Sequence, residues 1–301
     1  MTAVRALVER VVWVRIAQLI VNERYREGAF KIPIHLALGH EALAVALNET
    51  LNPNDRLLLS HRNIAYNLAR QRSLKPILDE YRLKKTGLAG GRLGSMNLAN
   101  PWRGIPYASS ILGNNFAVGC GVALALKQKG SGIAFVLGGD GSIEEGTFYE
   151  SLVFAKSQEA PLVFLIEDNE WSMSTHVKER RAPIHLAQLA KSLGTPYMKL
   201  SGNEVESYVQ SFKKAKLMAR EGPVLIEARV HTLGDWRKEE LGSKRFINYH
   251  AGPAPKISFD GSTAIIKREI ADPVFVMERK IGHEQMEKIT RRERARIEQE
   301  L

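Results

Sequence analysis

The sequence predicts an α/β protein whose core is a doubly wound, mostly parallel sheet flanked by helices. Short apolar runs begin near positions 133, 162, 196 and 224, and segments of helical length separate them. The first run stops at Gly-Gly-Asp-Gly, and the second stops at Glu-Asp-Asn. Apolar runs of this length that alternate with helices are typical of parallel strands joined by right-handed crossovers.

The polar ends of the first two runs predict a binding site. Crossovers place both ends at the carboxyl edge of the sheet, where open α/β sheets bind ligands. Asp140 follows the first run and Asn169 the second, 169 − 140 = 29 residues later. A carboxylate with an amide oxygen suits Mg²⁺. Gly139 and Gly141 leave room for a diphosphate, and Ser142 is expected to cap the next helix, whose amides favour an anion.

The segment 139–175, GDGSIEEGTFYESLVFAKSQEAPLVFLIEDNEWSMST, resembles the α subunit of the thiamine diphosphate-dependent decarboxylase component of 2-oxo acid dehydrogenases. In that family, GDG precedes a strand ending in Asn by about thirty residues. The resemblance implies that Asp140, the Asn169 side chain and the Trp171 carbonyl hold Mg²⁺. Gly139, Gly141 and Ser142 would belong to the same cofactor site. One departure is Asp168, which stands where the family usually has a first Asn.

The N-terminal region begins with an expected amphipathic helix over residues 3–27, ended by Gly28. The next segment, IHLALGHEALAVALNETLNPNDRLLLSHR, resembles a second segment of that family, which usually reads H-L-x-x-G-Q-E-A at its start. The resemblance implies that Arg62 binds the diphosphate, and a guanidinium fork fits a phosphate. His35 is a candidate catalytic residue, with a structural role as the alternative. His40 replaces a usual Gln and His61 a usual Tyr.

Two further segments resemble parts of the family's cofactor site. Residues 87–97, GLAGGRLGSMN, resemble a glycine-rich loop that usually ends in His, and Asn97 departs from it. This loop could equally be a linker. The resemblance further implies that main-chain groups of Ser110 and Leu112 hold the aminopyrimidine ring. A helix should follow over 114–129, where Gly119 and Gly121 suggest a close neighbour, either a strand or the cofactor.

The last third combines expected regular elements with the main departure. A strand at 196–200, a helix at 204–219 and a strand at 223–230 continue the alternation. Beyond them the family usually carries a Gly-His-Ser motif, which this chain lacks. His231 and His250 stand instead in patterns that look like those of transketolases. Either imidazole could shuttle a proton near neutral pH, although a lone His is more often structural.

The domain organisation follows from the same resemblance. Residues 1–270 should form the thiamine diphosphate-binding domain, including the N-terminal helical extension. Residues 271–301 should form a C-terminal tail of two helices separated by Gly282. The charge run of this tail indicates a solvated helical face.

Composition and charge narrow the class of protein. The content of 44% hydrophobic and 25% charged residues is that of a soluble globular protein. The single Cys120 excludes an intrachain disulfide framework, and no apolar stretch approaches a membrane-spanning length. Charged residues interrupt the N-terminal apolar positions, which argues against a secretory signal, so we expect a cytoplasmic protein. The net charge of +10 is scattered, and it favours solvated faces and an acidic protein partner over nucleic acid.

The resemblance also predicts a partner subunit. Thiamine diphosphate is activated by a Glu from a pyrimidine-binding domain, and the diphosphate-binding unit uses this whole chain. A β subunit should therefore supply that Glu, in an α2β2 heterotetramer that could also contact a lipoyl acyltransferase. The expected reaction is decarboxylation of a 2-oxo acid with acyl transfer to lipoamide.

Three alternatives stay open at this point. The first is a split transketolase-like or acyloin-forming enzyme that transfers a carbon fragment to an aldehyde or ketone, which Asn97 and the His231 and His250 patterns favour. The second is a non-catalytic scaffold subunit, which would not need a metal cage. The third is dinucleotide binding, but the glycines occur as GGDG and lack the GxGxxG spacing.

Overall fold

The sheet has six strands, all parallel to their neighbours, in the order β2-β1-β3-β4-β8-β7. This architecture comes from a computed structural model, which describes residues 2–234, 237–239, 246–248, 251–252, 254, 257 and 262–301. The strands of the sheet are β1 (Arg56–Leu59), β2 (Tyr107–Ala108), β3 (Ala134–Gly139), β4 (Leu162–Asp168), β7 (Tyr197–Leu200) and β8 (Val224–Arg229). The predicted α/β class with a parallel sheet is confirmed.

Two short antiparallel pairs lie outside this sheet. They are formed by β5 (Trp171–Ser172) with β6 (Thr175–His176), and by β9 (Arg237–Glu239) with β10 (Phe246–Asn248). The first pair begins two residues after Asn169, at the carboxyl edge of β4.

Helices form much of the rest of the described chain. In order they are α1 (Thr2–Arg26), α2 (Glu41–Thr50), α3 (Ile64–Gln71), α4 (Lys75–Tyr81), α5 (Asn114–Gln128), α6 (Gly146–Ser157), α7 (Val177–Arg180), α8 (Leu186–Ser192), α9 (Val205–Met218), α10 (Pro273–Ile281) and α11 (His283–Glu300). Single 3-10 turns span Pro101–Arg103 and Ser142–Glu144. No helix in the described ranges is both long and apolar enough to cross a membrane.

Strands β3 and β4 form the centre of the sheet and are buried on both faces. Every residue from Ala134 to Gly138 and from Leu162 to Glu167 is buried. This explains their continuous apolar sequence, because a parallel sheet covered by helices has no solvent face. Helix α5 packs against β3, and a Cβ on Gly119 would lie 3.0 Å from Cβ of Val136. That close neighbour accounts for Gly119. A Cβ on Gly121 would meet nothing within 4 Å, so the expectation of a close neighbour is wrong at that position.

Helix α1 corrects the expectation of one amphipathic stripe. All residues from Val11 to Asn22 are buried, so this part of the helix has no solvent face. The buried charge of Arg15 is balanced by two carboxylates, since its Nε lies 2.6 Å from Glu41 Oε1 and its Nη2 lies 3.0 Å from Asp272 Oδ1. Ion pairing of this kind offsets the desolvation of the guanidinium. The pairs tie the N-terminal helix to α2 and to the start of α10.

The C-terminal helices pack on the N-terminal one. Both α10 and α11 contact α1, and Arg292 Nη2 lies 3.0 Å from Glu9 Oε1. Asp272 caps α10 by accepting a hydrogen bond from the backbone N–H of Val274 at 2.9 Å, and Gly282 separates the two helices as predicted. The division of the chain at residue 270 stays a prediction.

The glycine-dense loop after α4 is organised around a buried carboxylate. Glu80 is fully buried, and its two oxygens accept four backbone N–H bonds at 2.8 to 3.1 Å. The donors are Ala89, Gly91, Leu93 and Gly94. Gly91 has a φ of +73°, a conformation that other residues rarely adopt. The loop is therefore a folded cradle for Glu80, and the linker interpretation is wrong.

We expect Glu80→Ala to lower the free energy of unfolding by roughly 3–5 kcal/mol, because four buried N–H donors lose their acceptor at once. Equilibrium unfolding in urea would measure this, with the exposed Glu150→Ala as the matched control. A loss below about 1 kcal/mol would show that water replaces the carboxylate and that the loop does not depend on it.

Candidate functional site

A cleft of about 430 Å³ opens at the carboxyl edge of the sheet. Ten of the predicted site residues line it, although they come from segments far apart in the sequence. They are His35, Arg62, Ser110, Leu112, Gly139, Asp140, Gly141, Ser142, Asn169 and Trp171. The geometry thus brings together the predicted metal and diphosphate groups. Their roles stay predictions at this point.

The strand register explains why Asp140 and Asn169 line the same cleft. Gly139 pairs with Glu167 across β3 and β4, and Asp168 pairs with Arg229 across β4 and β8. The residues that follow each strand therefore emerge side by side at one edge. The Asn169 amide is fixed at both ends: its Oδ1 accepts from the backbone N–H of Trp171 at 3.0 Å, and its Nδ2 donates to Thr232 Oγ1 at 3.0 Å.

The Asp140 carboxylate is buried and already paired with a cation. The guanidinium of Arg180 donates to Asp140 Oδ2 and, at 2.6 Å, to Glu144 Oε1. Burial raises the pKa of Asp140, while the Arg180 charge acts to lower it. A desolvated carboxylate in contact with a positive group is the environment that a divalent cation would also stabilise. The donor set at this position therefore fits Mg²⁺.

If Asp140 holds Mg²⁺ as predicted, Arg180→Met should strengthen Mg²⁺ binding in the presence of thiamine diphosphate by roughly threefold to tenfold. The guanidinium would compete with the ion for Asp140, and a charge-assisted bond of about 1 kcal/mol or more would have to break first. Calorimetric titration would measure the change, with Arg181→Met as the control because Arg181 contacts Glu144 and not Asp140. Weaker binding by Arg180→Met would instead mean that Arg180 moves onto the diphosphate.

The glycines beside Asp140 have different functions. A Cβ on Gly139 would approach only the carbonyl oxygen of Glu167, at 3.9 Å, so this position leaves open space for a ligand. A Cβ on Gly141 would lie 2.6 Å from Ser172 Oγ. Gly141 is therefore required by packing within the chain, and only Gly139 behaves as the open cradle that a diphosphate would need.

Ser142 does not cap the following helix as predicted. It begins a 3-10 turn, α6 starts four residues later at Gly146, and the residue at its N-cap position is Glu145. The Ser142 hydroxyl instead accepts from the backbone N–H of Gly139 at 3.3 Å. The Ser142 side chain still lines the cleft, so only its predicted capping function is wrong.

Arg62 places a buried positive charge in the cleft. Its side chain is 7% exposed and donates to the carbonyl oxygen of Leu36. Burial lowers the pKa of Arg62 to about 10, and the nearby Glu167 carboxylate opposes that shift. The lowered value means that the charged form is costly here, which an anionic ligand would relieve.

The cleft is also lined by His35, Ser110 and Leu112. The rings of His35 and His61 meet edge to face with centroids 4.7 Å apart. The backbone N–H of Ser110 donates to Asn97 Oδ1 at 3.1 Å, so the Asn that replaces the usual His holds the Ser110 segment. The side chain of Leu112 is 42% exposed at the rim.

The structure adds a polar network that the sequence analysis did not assign. Glu167 Oε1 accepts from Tyr66 at 2.9 Å and lies 3.0 Å from His40 Nδ1, and His40 Nε2 lies 3.1 Å from Thr232 Oγ1. His40, Glu167 and Thr232 also line the cleft. Glu167 directly precedes the Asp-Asn pair that ends β4, but only the adjacency of β4 and β8 places Thr232 beside it.

Of the two candidate proton-shuttling histidines, the structure describes only His231. His231 is not among the described residues that line the cleft, and its side chain is exposed. Partial burial is the larger cause that lowers the pKa of His231, and the positive charge of Arg229 lowers it further. His250 lies outside the described residues.

Most of the chain is similar in sequence to a known protein family and to named members of it. Residues 9–235 match the family described as dehydrogenase E1 component. The chain is 31% identical over 214 residues to the α subunit of acetoin:2,6-dichlorophenolindophenol oxidoreductase of Bacillus subtilis, covering 70% of this chain and 64% of that subunit. The corresponding Cupriavidus necator subunit is 32% identical over 200 residues, covering 65% and 60%.

A third relative carries a different enzyme name. The pyruvate dehydrogenase E1 component subunit α of Staphylococcus aureus is 29% identical over 235 residues, covering 76% of this chain and 60% of that subunit. In all three comparisons, the match spans less than two thirds of the relative's own length.

Proposed function

This chain belongs to the dehydrogenase E1 component family, and on that premise we propose that it is the α subunit of a two-subunit thiamine diphosphate-dependent enzyme. The proposed reaction is decarboxylation of a 2-oxo acid with transfer of the acyl unit to lipoamide. One observation carries the proposal: a single cleft brings the buried Asp140 carboxylate, the fixed Asn169 amide and the buried Arg62 charge together.

The cleft residues divide the task of holding the cofactor. Asp140, the Asn169 side chain and the Trp171 carbonyl would hold Mg²⁺, and Arg62 would neutralise diphosphate oxygens. Gly139 would allow the diphosphate to approach the main chain, and Ser110 and Leu112 would flank the aminopyrimidine. Bound thiamine diphosphate supplies the carbon nucleophile and the electron sink for breaking the bond to the carboxylate. The protein contributes binding, orientation and electrostatics.

The proposal includes partners and a compartment. A β subunit would supply the activating Glu and close the cleft, in an α2β2 assembly that could hand its product to a lipoyl acyltransferase. The names of the relatives, which are α subunits, support a β partner. A cytoplasmic location and the absence of nucleic-acid binding belong to the same proposal.

The decisive experiment is to co-express this chain with its β subunit and to assay 2-oxo acids and 2-hydroxyketones with a redox dye, with Mg²⁺ and thiamine diphosphate present. Turnover should require both subunits and both additives, because this chain would lack the activating Glu. Turnover by the isolated chain, or by the pair without thiamine diphosphate, would contradict the proposal.

The second candidate function is action on an acyloin or ketose rather than a 2-oxo acid. Two relatives are named for acetoin, and Asn97 stands where the dehydrogenase pattern has His. The same assay separates the two candidates. A kcat/KM for acetoin or a ketose donor that exceeds the values for every 2-oxo acid would favour the second.

A further inference from the structure

We infer that Glu167, His40 and Thr232 form a hydrogen-bonded relay that orients the amide of Asn169 toward its metal ion, which makes His40 and Thr232 positioning residues of the site. This inference rests on the proposed function. His40 stands where the family usually has Gln, and Thr232 lies in the segment where this chain lacks the family's usual Gly-His-Ser motif. The relay would therefore be particular to the way in which this chain holds Asn169.

The first step is the orientation of the Asn169 amide. Oδ1 accepts from Trp171 N–H and Nδ2 donates to Thr232 Oγ1, both at 3.0 Å. A flipped amide would direct its NH₂ group at the Trp171 N–H and its oxygen at Thr232, and it would lose the first contact. The existing orientation leaves the second lone pair of Oδ1 available for a cation. Thr232 is the acceptor that stabilises this orientation.

The second step is what fixes Thr232. Its hydroxyl lies 3.1 Å from His40 Nε2, and His40 Nδ1 lies 3.0 Å from Glu167 Oε1. With His40 neutral, one assignment of protons satisfies every contact: Nδ1–H donates to the carboxylate, Nε2 accepts from the Thr232 hydroxyl, and that hydroxyl accepts from Asn169. Each donor along the chain meets an acceptor, so the carboxylate keeps the Thr232 hydroxyl available as the acceptor for Asn169. The relay thereby reinforces the amide orientation that the Trp171 N–H also favours.

The third step is the rigidity of the relay. His40 is 2% exposed and Glu167 is 5% exposed, and Tyr66 donates a second bond to the same carboxylate oxygen. The backbone N–H of Leu233 donates to the Leu38 carbonyl at 2.8 Å, which holds the Thr232 segment against the His40 segment. Carboxylate–histidine pairs that orient a metal ligand from behind contribute substantially to metal affinity.

The test is calorimetric titration of Mg²⁺ into the full chain with its β subunit at saturating thiamine diphosphate. Thr232→Val keeps the shape of the side chain but removes the acceptor, and Kd for Mg²⁺ should rise roughly 10- to 100-fold. His40→Leu should have a similar effect. Thr232→Ser restores the hydroxyl, and His40→Gln presents a donor and an acceptor at a similar separation, so both should stay within about threefold of wild type.

The outcomes distinguish the relay from simple packing and from failure of the proposed function. Unchanged affinity in Thr232→Val, or a loss in Thr232→Ser equal to that in Thr232→Val, would overturn the relay while leaving the proposed function intact. Absence of Mg²⁺-dependent thiamine diphosphate binding by the wild type would overturn both. If Thr232→Val does not fold, Thr232→Ala, which adds no bulk, is measured in its place with the same expectation.

Discussion

Asp140→Ala is expected to abolish Mg²⁺-dependent binding of thiamine diphosphate and to reduce turnover of the assembled enzyme on the order of 1,000-fold or more. Asp140 supplies the only carboxylate of the proposed cage, and the other two ligands are neutral oxygens. A loss of several kcal/mol in the free energy of Mg²⁺ binding corresponds to this factor, since each 1.4 kcal/mol changes the affinity tenfold. Steady-state kinetics and calorimetry on the co-expressed subunits measure both quantities.

The fold should survive this substitution. Asp140 lies at the end of β3, beyond the apolar core, and burial already raises the pKa of its carboxyl group. Circular dichroism should therefore match that of the wild type. Asp168→Asn is the matched control, because Asp168 ends the neighbouring strand but pairs with Arg229. It should change Mg²⁺ affinity less than about threefold. Retained activity in Asp140→Ala would remove the metal-cage assignment.

Arg62→Met is expected to weaken thiamine diphosphate binding by about 100-fold. A guanidinium that donates two charge-assisted bonds to a diphosphate contributes about 3 kcal/mol, and the buried position excludes the water that would otherwise replace it. Titration of the cofactor at fixed Mg²⁺ measures this loss. Methionine fills a similar volume without the charge, so the comparison isolates the electrostatic contribution.

The free energy of unfolding of Arg62→Met distinguishes a loss of cofactor binding from a folding defect. Removing the charge relieves the desolvation indicated by the lowered pKa of Arg62, but it also leaves the Leu36 carbonyl without its donor. These opposing effects should keep the unfolding free energy of the unliganded protein within about 1 kcal/mol of wild type. Arg70→Met serves as control, because Arg70 bonds to Arg103 and Asn48 and does not line the cleft. Unchanged cofactor affinity in Arg62→Met would contradict the diphosphate assignment.

The buried charges of Asp140 and Arg62 each have an oppositely charged neighbour within the chain. Arg180 neutralises Asp140, and Arg62 lies in the field of Glu167. In the proposed complex, a metal–diphosphate pair would bring one cation to Asp140 and one anion to Arg62, so each buried charge would exchange one partner for another. This exchange avoids an uncompensated buried charge in either state.

Much of the fold could be predicted because its signals are local. Helices α5 and α9 and strands β3, β4, β7 and β8 lie within a few residues of the predicted spans. Strand β1 was missed, since four residues between a turn and a polar segment carry little periodic signal. The buried faces of α1 were also missed, because Arg15 looks like a surface residue until Glu41 and Asp272 are seen beside it.

The sequence by itself determined the parallel sheet, the two strand ends that carry Asp140 and Asn169, and the family, because periodicity and motif spacing are properties of neighbouring residues along the chain. Three features were decided only by the tertiary structure. Arg180 pairs with Asp140, the glycine-dense loop encloses Glu80, and His40 contacts Thr232 beside Asn169. Those contacts join residues from 9 to 192 positions apart. Strand order and loop closure bring such groups together, and neither can be read from local sequence.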